Sequence, residues 1–222
     1  MIFLSERDDE DFVLQNEWDV AIPVSFSVID GECRISCYPS VEREVREFYK
    51  AHKEDLFSDA ALSELWARLD FFFEAHGYEA DRFRDRWGYV FRGIAKDSFS
   101  ARRLSACDED INETTYDIEA TVEDGRAAFG VQEDGKIVSL AVTHIPIEEG
   151  VTVAEVGVET APKYRKRGYA TASLAALSAF LGERGITTEY RCQRYNTGSY
   201  RVAEEAGLSL VGKYYYYVGR KK

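Results

Sequence analysis

Residues 151–182 run from an alternating stretch, VTVAEVGVET, through a basic turn, APKYRKRG, into a long apolar-striped segment, YATASLAALSAFLG. A strand that feeds a helix through a tight turn commits a chain to layers of sheet and helix. Ala170, Leu174, Leu177, Ser178 and Leu181 share one face of the helix, and Gly185 closes it. The turn crowds Lys163, Arg165, Lys166 and Arg167 just ahead of Gly168, where the helix begins, in a chain of formal charge -12. A helix N-terminus carries about +0.5 charge, so each cation placed there costs roughly 0.3–1 kcal/mol unless an anion offsets it. An anion docked on the free N–H groups reverses that sign, and Gly168 lets it approach without a Cβ in the way. A phosphate or pyrophosphate is the natural guest; the alternative is a solvated basic patch.

The flanking segments fit the same layered plan. WDVAIPVSFSVI and CRISCY, joined by DGE, read as a hairpin. Pro39 and Ser40 open a helix with Val41, Val45, Phe48 and Tyr49 at helical spacing. A second helix is expected from about Asp59 to His76, with Leu62, Leu65, Trp66, Leu69 and Phe73 in one stripe and Gly77 after it. DRFRDRWGYVFRGI has a mixed pattern that fits no single element. Beyond residue 100, RRLSACDEDI is expected as a short strand and NETTYDIEATVEDG as loop or weak helix. AAFGVQEDGKIVSLAVTHI reads as a hairpin, ITTEYRC as a strand, NTGSYRVAEEAG as a helix capped by Asn196, and LSLVGKYYYYVG as the last strands. The texture changes near residue 100, which sets a boundary between an N-terminal α+β region, 1–100, and a second domain, 101–222.

Bulk chemistry excludes several functions. An acidic chain is a poor general binder of nucleic acid, where phosphate demands a basic face, and it suits a cationic substrate such as an amine. No apolar run approaches the ~20 residues that span a bilayer. MIFLSERDDEDF lacks the basic-then-apolar order of a signal peptide, so the expected location is cytoplasmic with no membrane partner. Cys33, Cys37, Cys107 and Cys192 form no C-x-x-C, and His52, His76 and His144 form no metal-binding pair, so no metal is expected. Neither the phosphate-binding G-x-x-x-x-G-K-[ST] nor a dinucleotide-binding G-x-G-x-x-G is present.

What remains is Arg165-x-x-Gly168-x-Ala170, set directly after VGVETAPKY and before a long helix. In this setting the chain resembles the GNAT superfamily of N-acetyltransferases, whose [Q/R]-x-x-G-x-[G/A] turn binds the pyrophosphate of acetyl-CoA. YRCQRYNTGSYRVAEEAGL is similar to the second motif of that family, with Asn196, Ser199, Ala203 and Gly207-Leu208 in step, and the GVQEDGKIVSLA hairpin fits as well. The resemblance covers about residues 101–222 and implies an α/β GNAT-like mixed sheet flanked by helices. The N-terminal region then either supplies acceptor-site helices or is a degenerate second half of the fold.

The resemblance also implies roles. Backbone groups of Val158, Glu159 and Thr160 pair with the pantetheine arm like an added strand. Arg165 and the amides of Lys166, Arg167, Gly168, Tyr169, Ala170 and Thr171 hold the pyrophosphate, and Asn196 and Ser199 lie near the far end of the cosubstrate. The implied reaction is direct attack of a primary amine, from a small molecule or a peptide, on acetyl-CoA in a ternary complex. The first candidate base is Glu155, with Glu159 on the same strand face and His144 on the neighbouring strand as alternatives. Many members carry a tyrosine acid seven residues after the motif asparagine; here that position is Ala203, and Tyr200, one turn earlier, is the replacement. Cys192 has no activating histidine near it in sequence, which disfavours a covalent acetyl-cysteine route. A non-catalytic CoA-binding regulatory module is the other class of function open to this sequence.

Overall fold

The structure, a computed structural model, describes residues 2–4, 20–80, 87–95 and 100–221. The chain forms two compact units, Met1–Gly88 with Gly212–Lys222, and Tyr89–Val211. The division thus falls at 88/89 instead of near residue 100, and the last eleven residues belong with the first unit. No helix among the described residues is long and apolar enough to cross a membrane.

In the first unit, β1 (Ile2–Leu4) lies parallel to β3 (Glu32–Cys37), and β3 pairs antiparallel with β2 (Val20–Ile29). The expected hairpin turns on Asp30 (φ 51°) and Gly31 (φ 77°), the two left-handed residues that match strand twist in a two-residue turn. Cys33, Ile35 and Cys37 alternate inward and are buried, which gives both cysteines a packing role. Burial pushes the Cys37 thiol up to about 12. Helix α1 (Glu42–His52) follows a short 3-10 turn at Pro39–Val41. Helix α2 (Asp59–Ala75) is capped by Ser58, whose hydroxyl accepts from the Ala61 N–H at 3.1 Å. α2 buries Leu62, Leu65, Leu69, Phe72 and Phe73. β4 (Tyr78–Ala80) pairs with the end of the final strand, β11 (Ser209–Lys221). β11 is one strand where the sequence suggested several, and its Gly212–Arg220 stretch also runs antiparallel to β2.

The second unit is a mixed sheet in the order β5 (Trp87–Gly93), β10 (Thr187–Gln193), β9 (Val153–Thr160), β8 (Lys136–Thr143), β7 (Ala128–Glu133), β6 (Arg102–Arg103). Trp87–Gly93 is the regular part of the mixed stretch that pattern alone did not place; residues 81–86 lie outside the described residues. The strand expected in RRLSACDEDI is only two residues long. Ser105 instead caps a 3-10 turn over Ala106–Ile111, reciprocally with Asp108. The Arg102 guanidinium beside Asp108 holds that carboxyl down at about 2. Helix α3 (Ile118–Glu123) is short. Helix α4 (Tyr169–Gly182) is apolar nearly all round, and its small residues bring it close to the sheet. On its side of the sheet Phe91, Ala154, Val156, Leu174, Leu177, Tyr190, Cys192 and Leu208 form one core. Leu104, Ile118, Ile137, Leu140 and Val142 form a smaller one. α5 (Thr197–Glu205) completes the unit.

Candidate functional site

Two local features of β9 and the turn after it leave backbone groups open. The first is a divergence of strands. β10 pairs in parallel with β9 only over Thr187–Tyr190 against Val153–Val156, yet β9 continues to Thr160 and β10 to Gln193. On its other side β9 is paired with β8 along its length, through bonds such as His144 N–H to Glu155 O and Ala161 N–H to Val138 O, both 2.9 Å. Odd-numbered residues therefore face β8, and by alternation the N–H and C=O groups of Val158 and Thr160 point toward the side that β10 has left. Glu159, expected to act with them, is turned to β8. Its carboxylate accepts from the Thr115 N–H at 3.2 Å and the Thr115 hydroxyl at 2.8 Å.

The second feature is the basic turn. Lys166 (φ 64°) and Gly168 (φ 79°) are both left-handed, and Gly168 caps α4 with no side-chain hydrogen bond. Residues that alternate in this way around Arg167 turn successive amides to one side. Ala172 N–H is the first amide of the helix to find a carbonyl, that of Gly168. Among the described residues no acceptor meets the N–H groups of residues 166–171. The space where a Cβ would stand on Gly168 is empty to 4 Å. An open cleft of about 630 Å³ is lined along α4 by Gly168, Thr171, Ala172 and Ala175, and opposite by Glu205, Ala206 and Gly207.

The cations do not act alike. Lys163 pairs with Glu113 at 2.9 Å, and Glu113 also takes Lys136, so the two lysines hold its carboxyl down at about 2. Arg167 donates to Glu133 at 2.9 Å, where the Tyr169 hydroxyl joins it at 2.9 Å. Arg165 donates through Nε to the Thr160 carbonyl at 3.1 Å. Among the described residues no carboxylate pairs with Arg165 or Lys166. Two cations therefore brace the turn, and two remain for an anion.

The other expected site residues separate into distinct environments. Asn196 caps α5, its side-chain oxygen accepting from the Ser199 N–H at 3.0 Å. The Thr171 hydroxyl donates to Glu205 at 3.2 Å. Tyr200 sets its ring edge-on to Tyr89 and Phe91, with centroids 5.0 Å apart in each case, and burial raises its phenol. Burial pushes the Cys192 thiol up to about 11, which leaves it a poor nucleophile. Glu155 lies on the sheet face away from α4. Burial pushes its carboxyl up, but His144, with Nδ1 at 3.6 Å, and Arg191, with Nε at 3.4 Å, outweigh that and hold it below the ordinary range. Arg191 is tied in turn to Glu189 at 2.7 Å, and Glu189 to Arg92 at 2.6 Å. Sequence reasoning missed Tyr116, whose hydroxyl stands over Gly157 beside this network; no local motif marks it.

A family model for GNAT acetyltransferases matches residues 85–217. A GNAT-family acetyltransferase structure from Novosphingobium aromaticivorans DSM 12444 is 22% identical, with a TM-score of 0.51 over 66% of this chain and 68% of that one. A GCN5-related N-acetyltransferase from Kribbella flavida is 17% identical, with a TM-score of 0.46 over 69% of this chain and 64% of its own. No curated protein matches the chain. The family match takes in more than half of the sequence, including the diverging strands and the cationic turn, and the chain belongs to the GNAT acetyltransferase family, whose chemistry is acyl transfer.

Proposed function

We propose that this protein moves an acetyl group from acetyl-CoA to a primary amine by direct attack. The observation that carries the reading is the run of open amides at 166–171 with Lys166 beside it. A diphosphate satisfies several N–H groups at once there and offsets the exposed charge. Val158 and Thr160 offer backbone groups to an extended amide-bearing arm, as an added strand does. Bound in this way, acetyl-CoA supplies an acetyl group activated as a thioester. The amine nitrogen forms a bond to the acetyl carbon and the carbon–sulfur bond breaks. One proton leaves the nitrogen and one ends on the sulfur.

This chain's residues serve those proton movements from opposite sides. Glu155 supplies the carboxylate on the proton-accepting side. Tyr200, on α5, is the proposed donor to the sulfur. Cys192 takes no covalent part, since its thiol is buried and pushed up. The test is thiol release from acetyl-CoA with a panel of polyamines, amino acids, aminoglycosides and peptide N-termini. Amine-dependent release supports the reading. Stabilisation by CoA with no amine-dependent release marks the protein as a CoA-binding regulatory module instead.

A further inference from the structure

On the sheet face away from α4, polar side chains converge on a glycine. Glu155, Gly157 and Glu159 share that face of β9, with Glu189 and Arg191 alongside on β10 and His144 just past the end of β8. Gly157 does not adopt a left-handed conformation, so the backbone does not call for glycine there. The space above it does. A Cβ at this position would collide with the Tyr116 hydroxyl and stand 2.8 Å from His144 Nε2. Two hydrogen-bonding atoms from separate segments thus flank one point over Gly157. Among the described residues neither Tyr116 Oη nor His144 Nε2 has a hydrogen-bond partner. His144 is exposed and Tyr116 partly so, and two polar atoms from separate segments that converge at an accessible point can bind a small polar group between them.

We propose that Tyr116 Oη and His144 Nε2 seat the acceptor amine over Gly157, with His144 as the group that takes its proton and Glu155 as the residue that positions the ring. The proposal rests on the acetyl-transfer reading and names the nitrogen's site within it. The neutral imidazole carries its proton on Nδ1, directed at Glu155 Oε1, and so presents a lone pair at Nε2. The Nδ1–Oε1 separation of 3.6 Å exceeds a formed hydrogen bond, and such contacts tighten when substrate fills a site. As the nitrogen bonds to the acetyl carbon, its proton passes to Nε2, and the Glu155 carboxylate stabilises the resulting imidazolium. The proton then leaves to solvent. Glu155 keeps its charge throughout, in line with a carboxyl held low by His144 and Arg191. The other charged and titratable groups facing this point are Glu189 and Arg191 from β10, Glu159 from β9 and Arg126 near Tyr116.

Nuclear magnetic resonance of the histidine side chains tests the site without turnover. Only three histidines are present, and His144→Gln assigns the resonance. Methylamine, the smallest primary-amine probe, is expected to perturb His144 Nε2 in the wild-type protein and to leave it unmoved in Gly157→Ala, while acetyl-CoA still stabilises that variant. No perturbation in the wild type, or an equal one in Gly157→Ala, overturns the site whether or not an active amine is found. With an amine that turns over, His144→Gln is expected to lower kcat about 100-fold or more and to erase the acidic limb of kcat/KM. Glu155→Gln is expected to keep that limb and move it to lower pH, with KM for acetyl-CoA unchanged. Tyr116→Phe is expected to raise KM for the amine and leave the limb in place. The opposite pattern, Glu155→Gln inactive and His144→Gln near wild type, places the base on Glu155 and ends the proposal. If methylamine marks His144 but no amine releases thiol, acetyl transfer fails and the amine site stands.

Discussion

Both units pair many of their polar side chains, and they differ in what the second leaves open. In the first, side chains that join helix to strand are paired. Trp66 Nε1 donates to the Tyr215 hydroxyl at 2.6 Å, the Tyr217 hydroxyl donates to Asp70 at 3.2 Å, and both His52 ring nitrogens face carboxylates at 3.0 Å. In the second, six consecutive amides, a tyrosine hydroxyl and a histidine nitrogen stand open. The turn and His144 are exposed, so water can meet these groups, and a ligand that exchanges for that water meets several donors and acceptors at once. The pairs of the first unit report on stability, and the open groups of the second on binding and chemistry. Substitutions in the two should therefore separate cleanly.

The largest separation is expected between Tyr200→Phe and Leu69→Ala. If the Tyr200 phenol protonates the sulfur, Tyr200→Phe lowers kcat by ~10²–10⁴-fold with acetyl-CoA affinity intact. A change below about threefold, under ~1 kcal/mol of barrier, leaves the ring with only its packing on Tyr89 and Phe91 and assigns the proton to solvent. Cys192→Ala is the matched control and should keep most of the rate. Leu69 is fully buried, and Leu69→Ala is expected to cost ~2–5 kcal/mol in denaturant unfolding while acetyl-CoA affinity stays the same. Trp66→Phe removes the Trp66 Nε1 hydrogen bond to Tyr215 and should cost ~0.5–1.5 kcal/mol, again without a change in affinity. A loss of affinity in either variant would show that the two roles are not separate.

Smaller effects distinguish the cations of the turn. Lys166→Ala should weaken acetyl-CoA binding about fivefold, close to ~1 kcal/mol, and make it less sensitive to salt. Lys163→Ala should do less, because Lys163 is already held by Glu113. Equal losses would mean that the brace is itself a ligand contact. The smallest effect belongs to the first unit. Glu64, then Asp55, raise the His52 ring against the lowering effect of burial. A raised folded value means that the charged ring's contribution to stability is fully present below the ordinary histidine value, ~6.5, and is lost as pH rises through the raised value. Stability measured across that window should fall slightly in the wild type and stay flatter in His52→Gln.

The sequence made the turn legible because its signal is local. Four cations beside Gly168, a strand before and a helix after lie within thirty residues, and the hairpin at Asp30-Gly31 and the α2 stripe are equally short-range. The division of labour among the cations was not legible. Lys163 and Arg167 are claimed by Glu113 and Glu133, which reach the turn only through the pairing of β7, β8 and β9. Tyr116 meets Gly157 by the same route, and no spacing rule links a loop tyrosine to a strand glycine forty residues on. Glu159 shows the limit within one strand: its parity was readable, but which neighbour its backbone faces depends on the ladder with β8. The unit boundary was hidden for a like reason, since β11 carries its last residues back to β2.

The reading of the cationic turn stands or falls on acetyl-CoA binding to Gly168→Val, measured by calorimetry beside the wild type, with circular dichroism to confirm that the variant is folded. Valine both resists the left-handed backbone at φ 79° and fills the open space over the amides. The expected result is binding in the wild type and no detectable heat or thermal stabilisation in a folded Gly168→Val. Binding of acetyl-CoA to that variant with wild-type affinity would contradict it and remove the turn from the site.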